Sequence, residues 1–518
     1  MQVVLTIDPG DPRTLQRQLF DQVRGLILGG ELRGGDPLPA SRALSEQLGV
    51  SRNTVVLAYE LLLSEGYVES RRNVGMFVSS NLPETGMSAL REPAADAADR
   101  GPGAADSRRA VGRRRGSAGS PAAKRGAHTV ISPNRGRFEH DFWIGRVDPS
   151  TFPVGEWRRI LDAKIRYGGV RFAEYQDPQG LPELRHGIAA HIGPARGVAA
   201  RVEDIVVVGG SQDGLALIAH VLRGHARAFV HEDPCYLGAR ALFASCGYRP
   251  VPVPVDREGI DVARLPETRR SLLYVTPSHQ YPLGVTLSLE RRLLLLDWAI
   301  RTDSYIIEDD YDGDFRYEGG PLTALRGLDR RGRVLYLGTF SKSLAAGLRL
   351  GFIVAPPALV QALREWKSLT SNGNAWLEQA AMAEFIGGGG FARHLRRIRV
   401  IYRQRRDALV DALRPAFADA QFLGMRGGMH VSLRLRPRHG DARDIERRAA
   451  QRGVGVYVPG SGGAFVTPRN PRARDTLLFG YAALSEKNIR IAVRRLVEAA
   501  GPGSDAARRP SGRVRYRR

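Results

Sequence analysis

Apolar positions along the chain follow two different rhythms. From about residue 12 to 64 they recur at helical spacing. Leu15, Leu19 and Val23, continued by Leu26 and Ile27, make one stripe. Gly34-Gly-Asp-Pro-Leu-Pro39 must interrupt any helix. A short helix is predicted over Ser41–Leu48, ended by Gly49, and another over Arg52–Leu63 with Ser51 as its N-cap. Val55, Ala58, Tyr59 and Leu62 share one face of that helix, Gly66 stops it, and strand patterns follow at Tyr67-Val68 and Phe77-Val78. The order predicts a mostly α winged helix-turn-helix in residues 1–80.

The second rhythm runs from residue 139 to 500. Nearly continuous apolar runs (Asp204–Val208, Arg227–Val230, Ser271–Val275, Ser304–Ile307, Arg333–Leu337) alternate with helical patterns. Runs without polar alternation suit strands buried on both faces. Their alternation with helices predicts an α/β domain with a mainly parallel central sheet. Residues 81–138 are rich in Pro, Gly, Ala, Ser and Arg. Residues 81–140 hold 11 basic and 6 acidic residues and few large apolar ones. Such a stretch cannot offset its ordering entropy and is expected to be a flexible basic linker. Residues 501–518 read as a disordered basic tail. The chain is therefore expected to be multidomain.

Composition narrows this picture. Of 518 residues, 43% are hydrophobic, which excludes a wholly disordered chain. The two cysteines, Cys235 and Cys246, exclude a disulfide scaffold or a cysteine-rich zinc module. No apolar run is long enough for a membrane span, and the N-terminus lacks a basic leader, so a cytoplasmic protein is expected. The net charge of +23 points to a polyanion partner.

Candidate chemistry follows the two regions. Arg52, Asn53 and Thr54 open the second helix of the N-terminal module, where a recognition helix presents side chains to base edges. Arg71 and Arg72 lie between the wing strands, within reach of phosphates or the minor groove. The same polar face would also suit a small helical interaction domain. In the larger region, Tyr336-Leu-Gly-Thr-Phe-Ser-Lys-Ser343 runs from a buried strand into a polar turn carrying Lys342. A lysine there suits an aldehyde cofactor. Thr339, Ser341 and Arg349 suit a phosphate. Val208-Gly-Gly-Ser-Gln-Asp-Gly214 leads from a strand into a helix whose free N–H groups favour an anion. Ile306-Ile-Glu-Asp-Asp-Tyr-Asp312 places carboxylates at a strand end. Asp309 could keep a pyridine nitrogen protonated, and Tyr311 would share its side if the backbone stays extended. A solvated acidic turn, or a divalent metal held by Asp309, Asp310 and Asp312, are the alternatives. Without a nearby histidine, and beside the Lys342 element, no metal is expected.

Leu38-Pro-Ala-Ser-Arg42, Leu48-Gly-Val-Ser-Arg-Asn-Thr54, Leu63-Ser-Glu-Gly-Tyr67 and Gly75-Met-Phe-Val78 resemble the GntR-type winged-helix signature. The resemblance implies double-stranded DNA as partner and Arg42, Ser51, Arg52, Asn53, Thr54, Arg71 and Arg72 as contacts. Residues 140–500 resemble fold-type I pyridoxal-phosphate enzymes of the aspartate aminotransferase group. That likeness implies Lys342 as the Schiff-base lysine, Asp309 at the pyridine nitrogen and Tyr311 at the ring hydroxyl. It implies a phosphate cup of Ser211, Gln212, Thr339, Ser341 and Arg349. Tyr236, in Glu232-Asp-Pro-Cys-Tyr236, would stack on the ring, and Tyr175 would reach the partner subunit's phosphate. The two parts joined resemble the MocR family of transcriptional regulators, with Pro277-Ser-His-Gln-Tyr-Pro-Leu-Gly284 and Glu308–Arg316 similar to its own motifs. The family implies a homodimer, promoter DNA and RNA polymerase as partners, and no membrane.

Three departures matter. The wing tip Arg72-Asn-Val-Gly-Met76 differs from the common Pro-Gly-Ser-Gly-Thr type. Tyr281 stands where aminotransferases carry an asparagine that tunes the ring hydroxyl. Leu478 takes the place of the arginine that clamps a substrate carboxylate, for which Arg240 or Arg316 could substitute. The expected function is a regulator that senses pyridoxal 5'-phosphate itself and controls vitamin B6 synthesis genes, as in the PdxR-type branch. The alternatives are a regulator answering to an amino acid or amine, a working aminotransferase, or a DNA-binding protein whose large domain is only a scaffold.

Overall fold

The structure, a computed structural model, describes residues 5–8, 11, 14–28, 31–64, 66–71, 75–79, 137–320 and 322–501. The chain divides into two compact units, residues 1–131 and 132–518. The expected linker and tail fall outside the described residues, apart from Arg137, Phe138 and Gly501. Among the described residues no helix is long and apolar enough to cross a membrane.

The first unit is a winged helix. α1 (Leu15–Leu28), α2 (Ser41–Leu48) and α3 (Arg52–Ser64) precede β1 (Val68–Arg71) and β2 (Gly75–Val78), which pair antiparallel. The helical stripes meet in one core. Leu19, Val23 and Ile27 of α1 pack with Leu44 of α2 and Val55, Ala58, Tyr59 and Leu62 of α3. Gly49 ends α2 in the left-handed region at φ 65°, and Thr54 N–H donates to the Ser51 hydroxyl at 3.1 Å, which caps α3.

The second unit is built on an eight-stranded sheet. Its strands are β3 (Ile205–Val208), β4 (Ala228–Asp233), β5 (Arg249–Asp256), β6 (Gly259–Ile260), β7 (Ser271–Val275), β8 (Tyr305–Asp309), β9 (Val334–Thr339) and β10 (Gly351–Val354). Their spatial order is β3-β10-β9-β8-β7-β4-β5-β6. Neighbours from β9 through to β5 run parallel, while β10 runs antiparallel to both β9 and β3, and β6 antiparallel to β5. All five apolar runs are strands of this sheet. The reversed β10 is the element that pattern does not reveal, because Gly351-Phe-Ile-Val354 is as apolar as its parallel neighbours.

Alternate residues feed opposite cores, as a strand's two-residue period requires. Ile205 and Val207 join Tyr336, Phe352 and Val354 on one face. Val206 and Val208 join Leu335, Leu337 and Ile353 on the other. Helix α4 (Pro182–Arg196) supplies Leu184, Ile188 and Ile192 to the first face, and α5 (Ser211–Val221) supplies Leu215 and Ile218 to the second. A smaller antiparallel sheet of β11 (Gln421–Leu423), β12 (His430–Arg434) and β13 (Thr476–Gly480) follows. Helices α6 (Gly390–Leu413) and α7 (Glu486–Ala500) cover it through Ile398, Leu409, Ile489 and Val493.

The C-terminal turn of α4 is tied to the end of β8 by a buried ion pair. Arg196 donates to both oxygens of Asp310 at 2.7 and 2.9 Å, and the Tyr336 hydroxyl adds a third bond at 2.6 Å. Removing one partner of such a pair strands the other's charge and costs about 3–5 kcal/mol. Arg196→Met is expected to lower the unfolding free energy of the cofactor-free protein, extrapolated from urea titration, by that amount. Arg196→Met with Asp310→Asn is expected to lower it less; equal losses would show that the charge is not what the pair protects.

Candidate functional site

The strand register gathers the candidate residues at one edge of the sheet. Val208 lies opposite Gly351, Gly351 opposite Thr339, and Leu337 opposite Asp309. The carboxyl ends of β3, β8 and β9 therefore sit side by side, where α/β sheets hold ligands. Beyond β9, residues Ser341–Ala345 form one wide helical turn that carries Lys342. Lys342 Nζ donates to the Gly145 carbonyl at 2.9 Å. Gly145 has φ 80°, and a Cβ there would stand 2.7 Å from Nζ, so both the turn and the close approach require glycine. Desolvation pulls the lysine's pKa down, opposed by the charges of Asp312 and Asp309. A lowered amine pKa favours nucleophilic capture of a carbonyl.

The predicted phosphate cup comes together at the start of α5. Ser341 N–H donates to Thr339 Oγ1 at 3.2 Å, and the two hydroxyls are 3.0 Å apart. Arg349 occupies the left-handed region at φ 51°, a conformation non-glycine residues reach only at a cost. A Cβ on Gly210 would stand 3.1 Å from the Arg349 guanidinium, so the missing side chain is what lets Arg349 lie against the N-terminus of α5. Ser211 begins that helix. Gln212 turns the other way: its amide donates to Gly238 O at 3.2 Å, and its Oε1 is buried without a partner.

The acidic strand end is resolved residue by residue. Glu308 accepts from the N–H groups of Leu325 and Arg326, both at 2.8 Å. Asp310 belongs to Arg196. Asp312 lies 2.9 Å from His279 Nδ1. Asp309 accepts from the Tyr274 hydroxyl at 2.8 Å through Oδ2, while its Oδ1 is buried with no partner. The three aspartates thus have separate partners and do not converge into the metal site weighed as an alternative. Burial pushes Asp309 up to about 7, against the Tyr274 hydrogen bond and with help from Asp310 and Asp312. An orphaned carboxylate oxygen at a strand end fits a protonated pyridine nitrogen, and Lys342, the Gly210–Arg349 cradle and the hydroxyl pair fit the rest of pyridoxal phosphate.

The tyrosines divide. β8 ends at Asp309 and the chain turns at once, so Tyr311 does not continue an extended strand; its hydroxyl donates to the His279 carbonyl at 3.0 Å. That corrects the expected geometry, because the carboxylates' partners pull the backbone into a turn. Tyr236 and Tyr281 meet edge to face at 5.8 Å, and Tyr281 meets Tyr311 likewise. Tyr175 is 87% exposed. Of the substitutes considered for the missing arginine, Arg240 lies over the Phe465 ring at 4.0 Å. Arg316 lines a separate cavity with Arg196, Ser278 and Arg426. Pattern reading missed Tyr274, Gly145 and Arg196. The first is an ordinary apolar-strand residue in sequence, and the other two act across more than 100 residues.

On the winged helix, Arg42, Ser51, Arg52 and Asn53 are exposed and Thr54 is half-buried, its hydroxyl 2.8 Å from that of Ser51. Arg42 pairs with Glu46 at 3.3 Å. Arg71 lies opposite Gly75 in the wing. Arg72 lies outside the described residues.

Known proteins match both units. The family model for bacterial regulatory proteins of the gntR family matches residues 15–78, and that for aminotransferase class I and II matches residues 151–496. The "Probable rhizopine catabolism regulatory protein MocR" of Rhizobium meliloti is 37% identical over 96% of both chains. The pyridoxine biosynthesis transcriptional regulator PdxR of Corynebacterium glutamicum is 31% identical over 96% of this chain and 99% of its own. Among solved structures, the α-aminoadipate aminotransferase LysN of Thermus thermophilus, complexed with N-(5'-phosphopyridoxyl)-L-leucine, superposes with a TM-score of 0.63 at 30% identity. The match covers 70% of this chain and 92% of that one.

A buried acid whose folded pKa exceeds its unfolded value near 4 binds more protons folded than unfolded in between. Stability then falls as pH rises through that window. Cofactor-free Asp309→Asn is therefore expected to gain melting temperature relative to the parent as pH rises from about 4 to about 7. An unchanged difference would mean that Asp309 is ionised throughout.

Proposed function

The chain belongs to the MocR family, GntR-type transcriptional regulators with an aminotransferase-like domain, and from that membership we propose that it senses pyridoxal 5'-phosphate. The cofactor would be held as a Schiff base on Lys342. When bound, it supplies an aldehyde that a lysine amine captures and that primary amines exchange with. The observation that carries this reading is the coincidence of the poised Lys342, the orphaned Asp309 Oδ1 and the Gly210–Arg349 cradle at one sheet edge.

In this reading each residue has a distinct task. Asp309 Oδ1 would hold the proton on the ring nitrogen. Tyr311 would serve the ring hydroxyl, with His279 beside it where aminotransferases use the asparagine replaced by Tyr281. Tyr236 would cover the ring, and Thr339, Ser341, Ser211 and Arg349 would neutralise the phosphate. Tyr175, with Tyr167, Val170 and Phe172 also exposed nearby, belongs to a homodimer in which it reaches the partner's phosphate. The regulator works in the cytoplasm, meets RNA polymerase at a promoter, and controls vitamin B6 synthesis genes, the role named for the Corynebacterium relative. Cofactor occupancy shifts DNA binding only if the two DNA-binding arrangements hold the cofactor unequally. Leu478 disfavours an α-amino acid as the effector.

The test is a footprint on DNA upstream of the protein's own gene, with and without pyridoxal phosphate. The cofactor alone is expected to change the footprint of the wild type and not that of Lys342→Ala. A wild-type footprint that ignores the cofactor would refute the sensor. Arg52→Ala is expected to weaken specific binding by about 1–3 kcal/mol in a titration at fixed salt. An unchanged affinity would remove Arg52 from the recognition surface.

A further inference from the structure

The wall facing Lys342 from the smaller sheet is apolar and aromatic. Leu478, fully buried in β13, exchanges both backbone hydrogen bonds with Tyr457. Ile144, Tyr457 and Ala464 pack on it, with Trp143 and Tyr281 against the same cluster. Ile144 is the neighbour of Gly145, whose carbonyl holds Lys342, so this cluster is joined to the lysine through a single residue. Trp143, Gly145, Tyr236, Tyr281 and Lys342 all keep partial exposure, so solvent reaches the wall.

Most of the polar groups around it already have partners. The Tyr457 hydroxyl donates to Asp141 at 2.6 Å, and the Tyr281 hydroxyl to the Gly462 carbonyl at 3.3 Å. Arg146 pairs with Asp141 at 2.6 Å. Arg349 lies against Gly210, at the phosphate end. Arg240 makes no ion pair among the described residues; its guanidinium carbon sits over the Phe465 ring at 4.0 Å, and its Nε is buried without a hydrogen-bond partner, which makes it the one donor whose role the experiment must separate.

We infer that the ligand entering beside Lys342 is a primary amine that carries no carboxylate. The inference rests on the pyridoxal-phosphate reading, because exchange at the captured aldehyde is what accounts for the amino group. Selectivity then falls on the wall that meets the rest of the molecule. A carboxylate driven past Trp143 and Tyr281 toward the buried Leu478 and Ile144 would lose its water and gain no donor from them. An uncharged ring or chain would bury apolar area against the same side chains, and a ring lies well on Trp143 and Tyr281. The chain is thus built to answer to a decarboxylated class of amine as a second input beside the cofactor.

The experiment uses full-length protein loaded with pyridoxal phosphate, with borohydride reduction and mass mapping to Lys342 as proof of loading. Matched pairs of an L-amino acid and the amine left by removing its carboxylate are titrated. Binding is followed by the visible absorbance of the loaded protein and by its melting temperature. At least one amine is expected to bind at least about tenfold more tightly than its amino acid, and Leu478→Arg is expected to reverse that order. Leu478→Met, which keeps the wall apolar, is expected to retain it, and the wild-type pairs decide the matter if Leu478→Arg fails to fold. Loaded wild type that binds amino acids as well as amines, or binds neither, overturns the inference while leaving the cofactor reading intact. Amino-acid binding lost in Arg240→Met would also overturn it and identify Arg240 as the clamp. Protein that never loads at Lys342 defeats the cofactor reading, and this inference with it.

Discussion

Four carboxylates crowd the end of one buried strand, and the arrangement of the site follows from the need to separate them. Glu308, Asp309, Asp310 and Asp312 fall within five residues at the foot of β8. Like charges so close in a desolvated place cannot coexist unless each has its own donor. Backbone N–H groups serve Glu308, Tyr274 serves Asp309, Arg196 and Tyr336 serve Asp310, and His279 faces Asp312. Those donors come from both neighbouring strands, two helices and a loop. Satisfying the acids therefore ties these parts of the large unit to β8 and leaves one buried oxygen, Asp309 Oδ1, without a partner.

The same edge shows how an enzyme scaffold can serve another purpose. On the cofactor reading, lysine, acid, hydroxyls and arginine gather at one end of the sheet, while Gln212 turns away from them. The half that would grip a substrate is changed at a single decisive position, because Leu478 joins a hydrophobic cluster where an arginine would have offered a fork of donors. A fold carries chemistry only through the residues grafted on it. On the proposed reading, what is kept here is a means of noticing a carbonyl compound, in the same chain as a helix that presents Arg52 and Asn53 to solvent.

Much of this was legible in the sequence because it is local. The stripes of α1 and α3, the five apolar runs and the polar turn around Lys342 each sit within a dozen residues, and local periodicity reports burial faithfully. Strand direction is not local. Gly351-Phe-Ile-Val354 reads like any buried strand, and only its pairing with Thr339 and Val208 shows that it runs backwards. Nor is the partner of a buried acid. Tyr274 looks like a core aromatic, and it is one by burial, yet its hydroxyl settles which oxygen of Asp309 remains open. The expectation for Tyr311 assumed that a strand continues, and the demands of the neighbouring carboxylates bent it instead.

The bond from Lys342 to Gly145 ties two events into one. A lysine nitrogen that has formed a double bond to carbon keeps at most one hydrogen, and its position is dictated by the new partner. It cannot go on holding the Gly145 oxygen as a free amine does. Gly145 lies in the short stretch by which the chain enters the large unit, where His140 and Asp141 pair alongside Val454 and Gly455. On the cofactor reading, filling the site would free the Gly145 carbonyl from Lys342, and with it the short strip of backbone that pairs alongside Val454 and Gly455.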